Sequence, residues 1–146
     1  MREQLDVVAA LVRASFLVNA VYGEAAREHG LTQQQGQLLC VLMKQAYGMG
    51  ELSSTLGLAK SSLSGLVDRT ERNGLVERAV DSQDTRAVRV RLTPRGRRVA
   101  GAFYDDACRR IESLTAGLSA DERSALTGSL GGIVFSNAVP VVFPST

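Results

Sequence analysis

GLAKSSLSGLVDRTERNGLVERAVDSQDTRAVRVRLTPRGRRVA, Gly57 to Ala100, changes its apolar period partway along, and that change decides the fold. From Lys60 to about Asn73 the apolar residues recur at helical spacing, and Asn73–Gly74 then stops the helix. Further on, Val88, Val90 and Leu92 alternate with Arg89 and Arg91, the period of two that marks a half-buried strand. With LVERAV before it and the polar DSQDTR turn between, this strand forms a two-stranded hairpin, a wing. Just upstream, Glu51 to Leu56 reads as a short helix, and Gly57, Leu58 and Ala59 as a tight turn into the longer one. Short helix, glycine-containing turn and second helix make a helix-turn-helix.

The same stretch collects charge. Leu75 to Ala100 holds seven of the seventeen cationic side chains, Arg78, Arg86, Arg89, Arg91, Arg95, Arg97 and Arg98, with Arg72 just before. From Leu58 to Arg98 ten basic residues face five acidic ones, although the whole chain is only +2. A basic lobe on a nearly neutral chain points to an anionic polymer as partner.

Working outward, Leu5, Val8, Ala9, Val12, Phe16 and Ala20 mark one face of a helix from about Glu3 to His29, stopped by Gly30. Thr32 and Gln35 form a capping box that opens a second helix through Leu38, Leu39, Val41, Leu42 and Met43. KQAYGMG reads as a loop. Beyond the wing, Thr93 is an N-cap and Pro94 a first helical residue, so a long helix runs to about Leu118 with Val99, Phe103, Ala107, Ile111 and Leu114 inward. Ser119 and Glu122 cap a last helix through Leu126, Leu130 and Ile133, and the two prolines of NAVPVVFPST end it.

The expected fold class is therefore mainly α with a small two-stranded wing: a winged helix-turn-helix with N- and C-terminal dimerisation helices. It forms one domain over residues 1–146, with the DNA-binding lobe at 32–98 and dimerisation helices at 3–29 and 94–140. The first and last helices are too apolar to stand alone at the edge of so small a lobe. Two arrangements satisfy them: packing on each other within one chain, or interlocking with a second subunit around a two-fold axis, which is the expectation adopted.

Several function classes are disfavoured. Length and a 45% hydrophobic content suit one globular domain. The N-terminal residues lack an uninterrupted apolar core and the longest apolar run is broken by Ser136, Asn137 and Pro140, so neither a secretory signal nor a membrane partner is expected, and the location is cytoplasmic. With one histidine, no Gly-rich phosphate loop and no spaced metal ligands, no enzyme, cofactor or metal site is expected. Cys40 and Cys108 sit in helical segments and read as structural thiols, with a thiol-based redox-sensing regulator as the alternative.

Order and motifs together resemble the MarR family of bacterial transcriptional regulators over nearly the whole chain. Ser61, Leu66, Val67, Asp68, Arg69, Gly74 and Leu75 sit where that family has its recognition helix and following turn, while Asp84, Arg86, Val90, Leu92, Thr93 and Gly96 match its Asp-x-Arg wing and Leu-Thr-x-x-Gly signature. The resemblance implies a homodimer on double-stranded DNA. It also implies release from DNA by a small aromatic or phenolic effector bound between the lobes. Gly65 and Thr70 depart from the common pattern, so base preference is not carried over.

The candidate DNA-binding residues are Lys60, Ser61, Ser62 and Ser64 at the start of the second helix, where a helix entering the major groove presents small donors and free N–H groups. In the wing they are Arg89 and Arg91, which strand parity turns away from the apolar face, and Arg86 with Asp84. The resemblance implies minor-groove insertion for Arg86, with Asp84 orienting its loop. Arg95, Arg97 and Arg98 serve either phosphates or solubility. Candidate effector-pocket residues are Phe16, Tyr22, His29, Gly36, Tyr47 and Tyr104, with Gly36 expected to leave room near the pocket. The rival from another class is a winged-helix protein-interaction module that does not bind DNA.

Overall fold

A computed structural model describes residues 3–80, 83–84 and 87–145. Helix α1 spans Val7–Glu28 with Asp6 accepting the Ala9 N–H, and α2 spans Gln33–Val41 behind the Thr32–Gln35 capping box. Strand β1, Tyr47–Gly48, leads into α3, Met49–Leu56, and then α4, Lys60–Arg72. Strands β2, Val76–Val80, and β3, Val88–Leu92, form the wing, followed by α5, Pro94–Ser113, and α6, Ala120–Ser136.

The wing differs from the expected hairpin by one strand. The sheet is three-stranded in the order β1-β3-β2, all antiparallel, with Tyr47 opposite Val90 and Arg78 opposite Val90 from the other side. Two residues are too few to show a period of two, which is why KQAYGMG reads as a loop. Parity holds at the wing's base, where Val90 and Leu92 are buried, and fails at its outer end, where Val80 and its partner Val88 are exposed because the hairpin extends past the core. The long helix also ends early: after Ser113 the chain descends through i→i+3 turns at Leu114, Thr115, Ala116 and Leu118.

The core lies between the N-terminal part of α5 and the helices of the lobe. Phe103 is fully buried and packs edge-on to Tyr22 at 5.1 Å. A Cβ on Gly36 would sit 2.8 Å from the Phe103 ring, so the room left by this glycine is filled by Phe103 and not by an open pocket. At the C-terminal end of α1, Asp106 on α5 accepts from Arg110 at 3.0 Å and from Arg109 at 2.7 Å, and bonds His29 at 3.0 Å. Arg110 and then His29 hold the Asp106 carboxyl below the usual carboxylate range, at about 2. A depressed carboxyl contributes stability that is present above its ordinary value and is lost as pH falls through the folded one. The melting temperature is therefore expected to drop between about pH 4 and about pH 2, and Asp106→Asn to remove that part of the acid dependence in thermal melts.

The outer half of α1 and the whole of α6 remain uncovered. Phe16 is 74% exposed and Phe135 85%, with Leu11, Val12, Leu126, Leu130 and Ile133 exposed beside them. No residue of α6 is buried, so mutual packing of the first and last helices within one chain is not what the structure shows. By length and a mean hydropathy of 1.4, α1 also meets the composition of a membrane span, a match the sequence reading did not anticipate. Arg13, paired with Glu3 at 2.9 Å, and Asn19 interrupt its apolar surface.

Candidate nucleic-acid interface

Leu52 on α3 and Leu63, Leu66, Val67 and Thr70 on α4 point into the core and fix the angle between these helices. Gly57 supplies the left-handed turn (φ +66°), and Ser53 closes it by donating its hydroxyl to the Leu58 carbonyl at 2.6 Å. Thr70, the position that departs from the usual leucine, donates to the Leu66 carbonyl and accepts from Gln35 at 3.5 Å, tying α4 to α2.

The opposite face of α4 is free for a partner. Lys60, Ser61, Ser62, Arg69 and Arg72 are exposed, while Ser64 is half-buried and shares a 270 Å³ recess with Lys60, Met49 and Gly50. The start of α4 has no capping side chain, because its N-cap is Ala59. Its first N–H groups therefore stay open to an anion.

Beside α4 stands the wing, held by an ion cluster that sequence reading missed. Arg78 on β2 donates to Asp68 at 2.7 Å and to Glu71 at 2.8 Å, and Glu71 also accepts the Arg78 N–H at 3.1 Å. The two carboxylates lie one helical turn apart on α4, which is the only sequence signal for this clamp. Arg91 is paired with Glu77 across the strands at 2.8 Å, and Arg89 lies 3.9 Å from Glu51 and donates to the Ala46 carbonyl. Both wing arginines thus have protein partners. Asp84 is exposed, its carbonyl accepting the Ala87 N–H, whereas Arg86 lies outside the described residues. Among the described residues, Lys60, Arg69, Arg72, Arg97 and Arg98 make no ion pair within 4 Å. Arg97 and Arg98 border a cleft of about 470 Å³ with Arg91 at the base of the wing.

The six expected pocket residues do not converge. Phe16 is on the uncovered face of α1, Tyr47 pairs in β1, and His29 is bonded to Asp106. Tyr22 alone among them lines the apolar cavity of 680 Å³ formed with Val18, Ile111, Leu130, Val142 and Phe143. Tyr104 lies against Phe143 at that cavity's wall. Cys40 is buried and its thiol is pushed up to about 11 by that burial, the reverse of what a reactive thiolate needs.

A family model described as MarR family matches residues 29–87. The HTH-type transcriptional regulator TtmR of Methylorubrum extorquens (strain PA1) is 32% identical over 125 residues, 85% of this chain and 63% of its own length. The chain spans between 35% and 66% of the length of the first curated relatives it matches. Among solved structures, MepR of S. aureus in complex with DNA aligns with a TM-score of 0.75 at 22% identity, over 91% of this chain and 99% of that one. CouR from Rhodococcus jostii RHA1, bound to p-coumaroyl-CoA, aligns with a TM-score of 0.72 at 25% identity, over 89% and 92%. Likeness of sequence through the helix-turn-helix and wing agrees with likeness of fold over nearly the whole chain, and the chain belongs to the MarR family of transcriptional regulators.

Proposed function

We propose that this regulator works as a homodimer on a pseudopalindromic promoter site, as a repressor released by a small aromatic effector. Each protomer lays α4 in a major groove and its wing along the neighbouring minor groove, with recognition helices about 34 Å apart, one DNA turn. The observation that carries this reading is the uncapped, exposed start of α4, with Lys60, Ser61 and Ser62 in its first turn and unpaired cations on the same lobe. MepR in its DNA complex shares this fold, and so does CouR, which is bound to p-coumaroyl-CoA. The uncovered faces of α1 and α6 suit a second copy, and acting on the genome places the working protein in the cytoplasm.

Selection of bound fragments from the source genome, followed by titration at two salt concentrations, tests the reading. Affinity is expected to fall steeply with salt, by about 0.9 log unit per log unit of salt for each phosphate neutralised. Lys60→Ala is expected to flatten that slope by about one contact, and Arg86→Ala to weaken binding by about 1–3 kcal/mol. Parent-like binding by Arg86→Ala removes the wing from the interface. No shift with any fragment at low salt leaves the protein-interaction reading in its place.

A further inference from the structure

The chain that leaves α6 turns back onto the core. Ala138 adopts the left-handed region (φ +49°), and the N–H groups of Ala138 and Val139 reach the carbonyls of Phe135 and Val134. Pro140 rules out further helix. Three residues later the Phe143 ring stacks on Tyr104, with centroids 4.7 Å apart and planes at 29°, and meets Tyr22 edge-on at 6.1 Å. The Tyr104 hydroxyl donates to the carbonyl of Pro144, which is buried. Burial pushes both phenols further above their ordinary range, Tyr104 up to about 12, so Tyr104 remains a donor well into alkaline pH. Phe143 and Val142 form one wall of the 680 Å³ cavity.

The slot between Tyr22 and Tyr104 therefore already holds an aromatic ring, with a carbonyl one residue away on the Tyr104 hydroxyl. A free ligand with a flat ring and a hydrogen-bond acceptor offers the same two features. We propose that Phe143 is a built-in competitor: its ring occupies an aromatic-ligand slot, and an aromatic, acceptor-bearing effector binds by displacing it. This rests on the effector reading above and gives that effector a place and a gate. A slot that is open for only a fraction of the time weakens the apparent affinity by that fraction, and removing the occupant restores it.

The test measures binding of the dye 1-anilinonaphthalene-8-sulfonate to the full chain. Phe143→Ala is expected to bind it about tenfold more tightly than the parent. Val141→Ala, on the same segment but 63% exposed, is expected to bind as the parent does. A cooperative melt establishes that each variant is folded. If Phe143→Ala is not, Phe143→Leu, which keeps apolar bulk and loses the stacking, is expected to gain about threefold. Parent-like dye affinity in whichever variant is folded overturns the proposal. The same proteins are titrated with the selected DNA: a parent chain that ignores DNA sinks the regulator reading and leaves the dye comparison standing.

Discussion

Gly96→Ala is expected to destabilise the protein by about 3 kcal/mol, the upper end of what overpacking a tight site produces, and to lower its melting temperature by on the order of 10 °C. A Cβ at this position would lie 1.8 Å from the Leu75 carbonyl oxygen and 2.7 Å from its carbon, so it collides with backbone, not with a side chain that can rotate away. The neighbourhood cannot easily open. Thr93 donates its N–H to Leu75 at 3.1 Å and its hydroxyl to Gly74 at 2.6 Å, and Arg95 donates to the Asn73 carbonyl at 2.9 Å. Together these bonds press the start of α5 onto the turn that ends α4, so relief of the clash must shift the recognition helix against the helix that carries it. Loss of DNA affinity is expected alongside the loss of stability. Gly101→Ala is the matched control: it lies on the same helix with nothing within 4 Å of its Cβ, and alanine there is expected to stabilise by about 0.5–1 kcal/mol. Thermal melts of the two variants moving in the same direction would reject the close-approach explanation.

Gly96 also shows where sequence reading reaches and where it stops. The Leu-Thr-x-x-Gly pattern marks the position, and Thr93 and Pro94 announce the helix start, because capping and turn chemistry act over three or four residues. The reason for the glycine depends on Leu75, twenty-one positions away, and no local pattern holds it. The same division runs through the site. The helical period together with the Gly57–Ala59 turn puts Lys60, Ser61 and Ser62 at the start of α4. The Arg78 clamp on Asp68 and Glu71 and the Arg91–Glu77 pair depend on strand register and were not legible. Gly36 looks like space on paper and is filled by Phe103 in the fold, and the role of Phe143 depends on a reversal at Ala138 that a non-glycine residue does not advertise.

Phe16→Asp and Phe135→Asp are expected to convert the protein to monomers and to reduce operator affinity by about 10²–10⁴, the factor by which linking two half-site contacts raises avidity. The two rings are 74% and 85% exposed on α1 and α6, the helices with the largest uncovered apolar surface. Burying a phenylalanine side chain is worth about 1.5–3 kcal/mol, and a two-fold axis uses each substituted position twice. A carboxylate in its place removes that gain and must be desolvated for the interface to form, so one substitution acts on both sides of the axis. Neither ring touches the buried core of the chain, so the folded lobe is expected to survive with its melting behaviour little changed at low concentration. Sedimentation gives the mass directly, with 15.6 kDa expected for the variants and twice that for the parent. Monomers that keep weak, salt-dependent binding to a single half-site would separate the reading head from the pairing device. Variants that remain dimeric and bind the full site as the parent does would show that these faces are covered by something else.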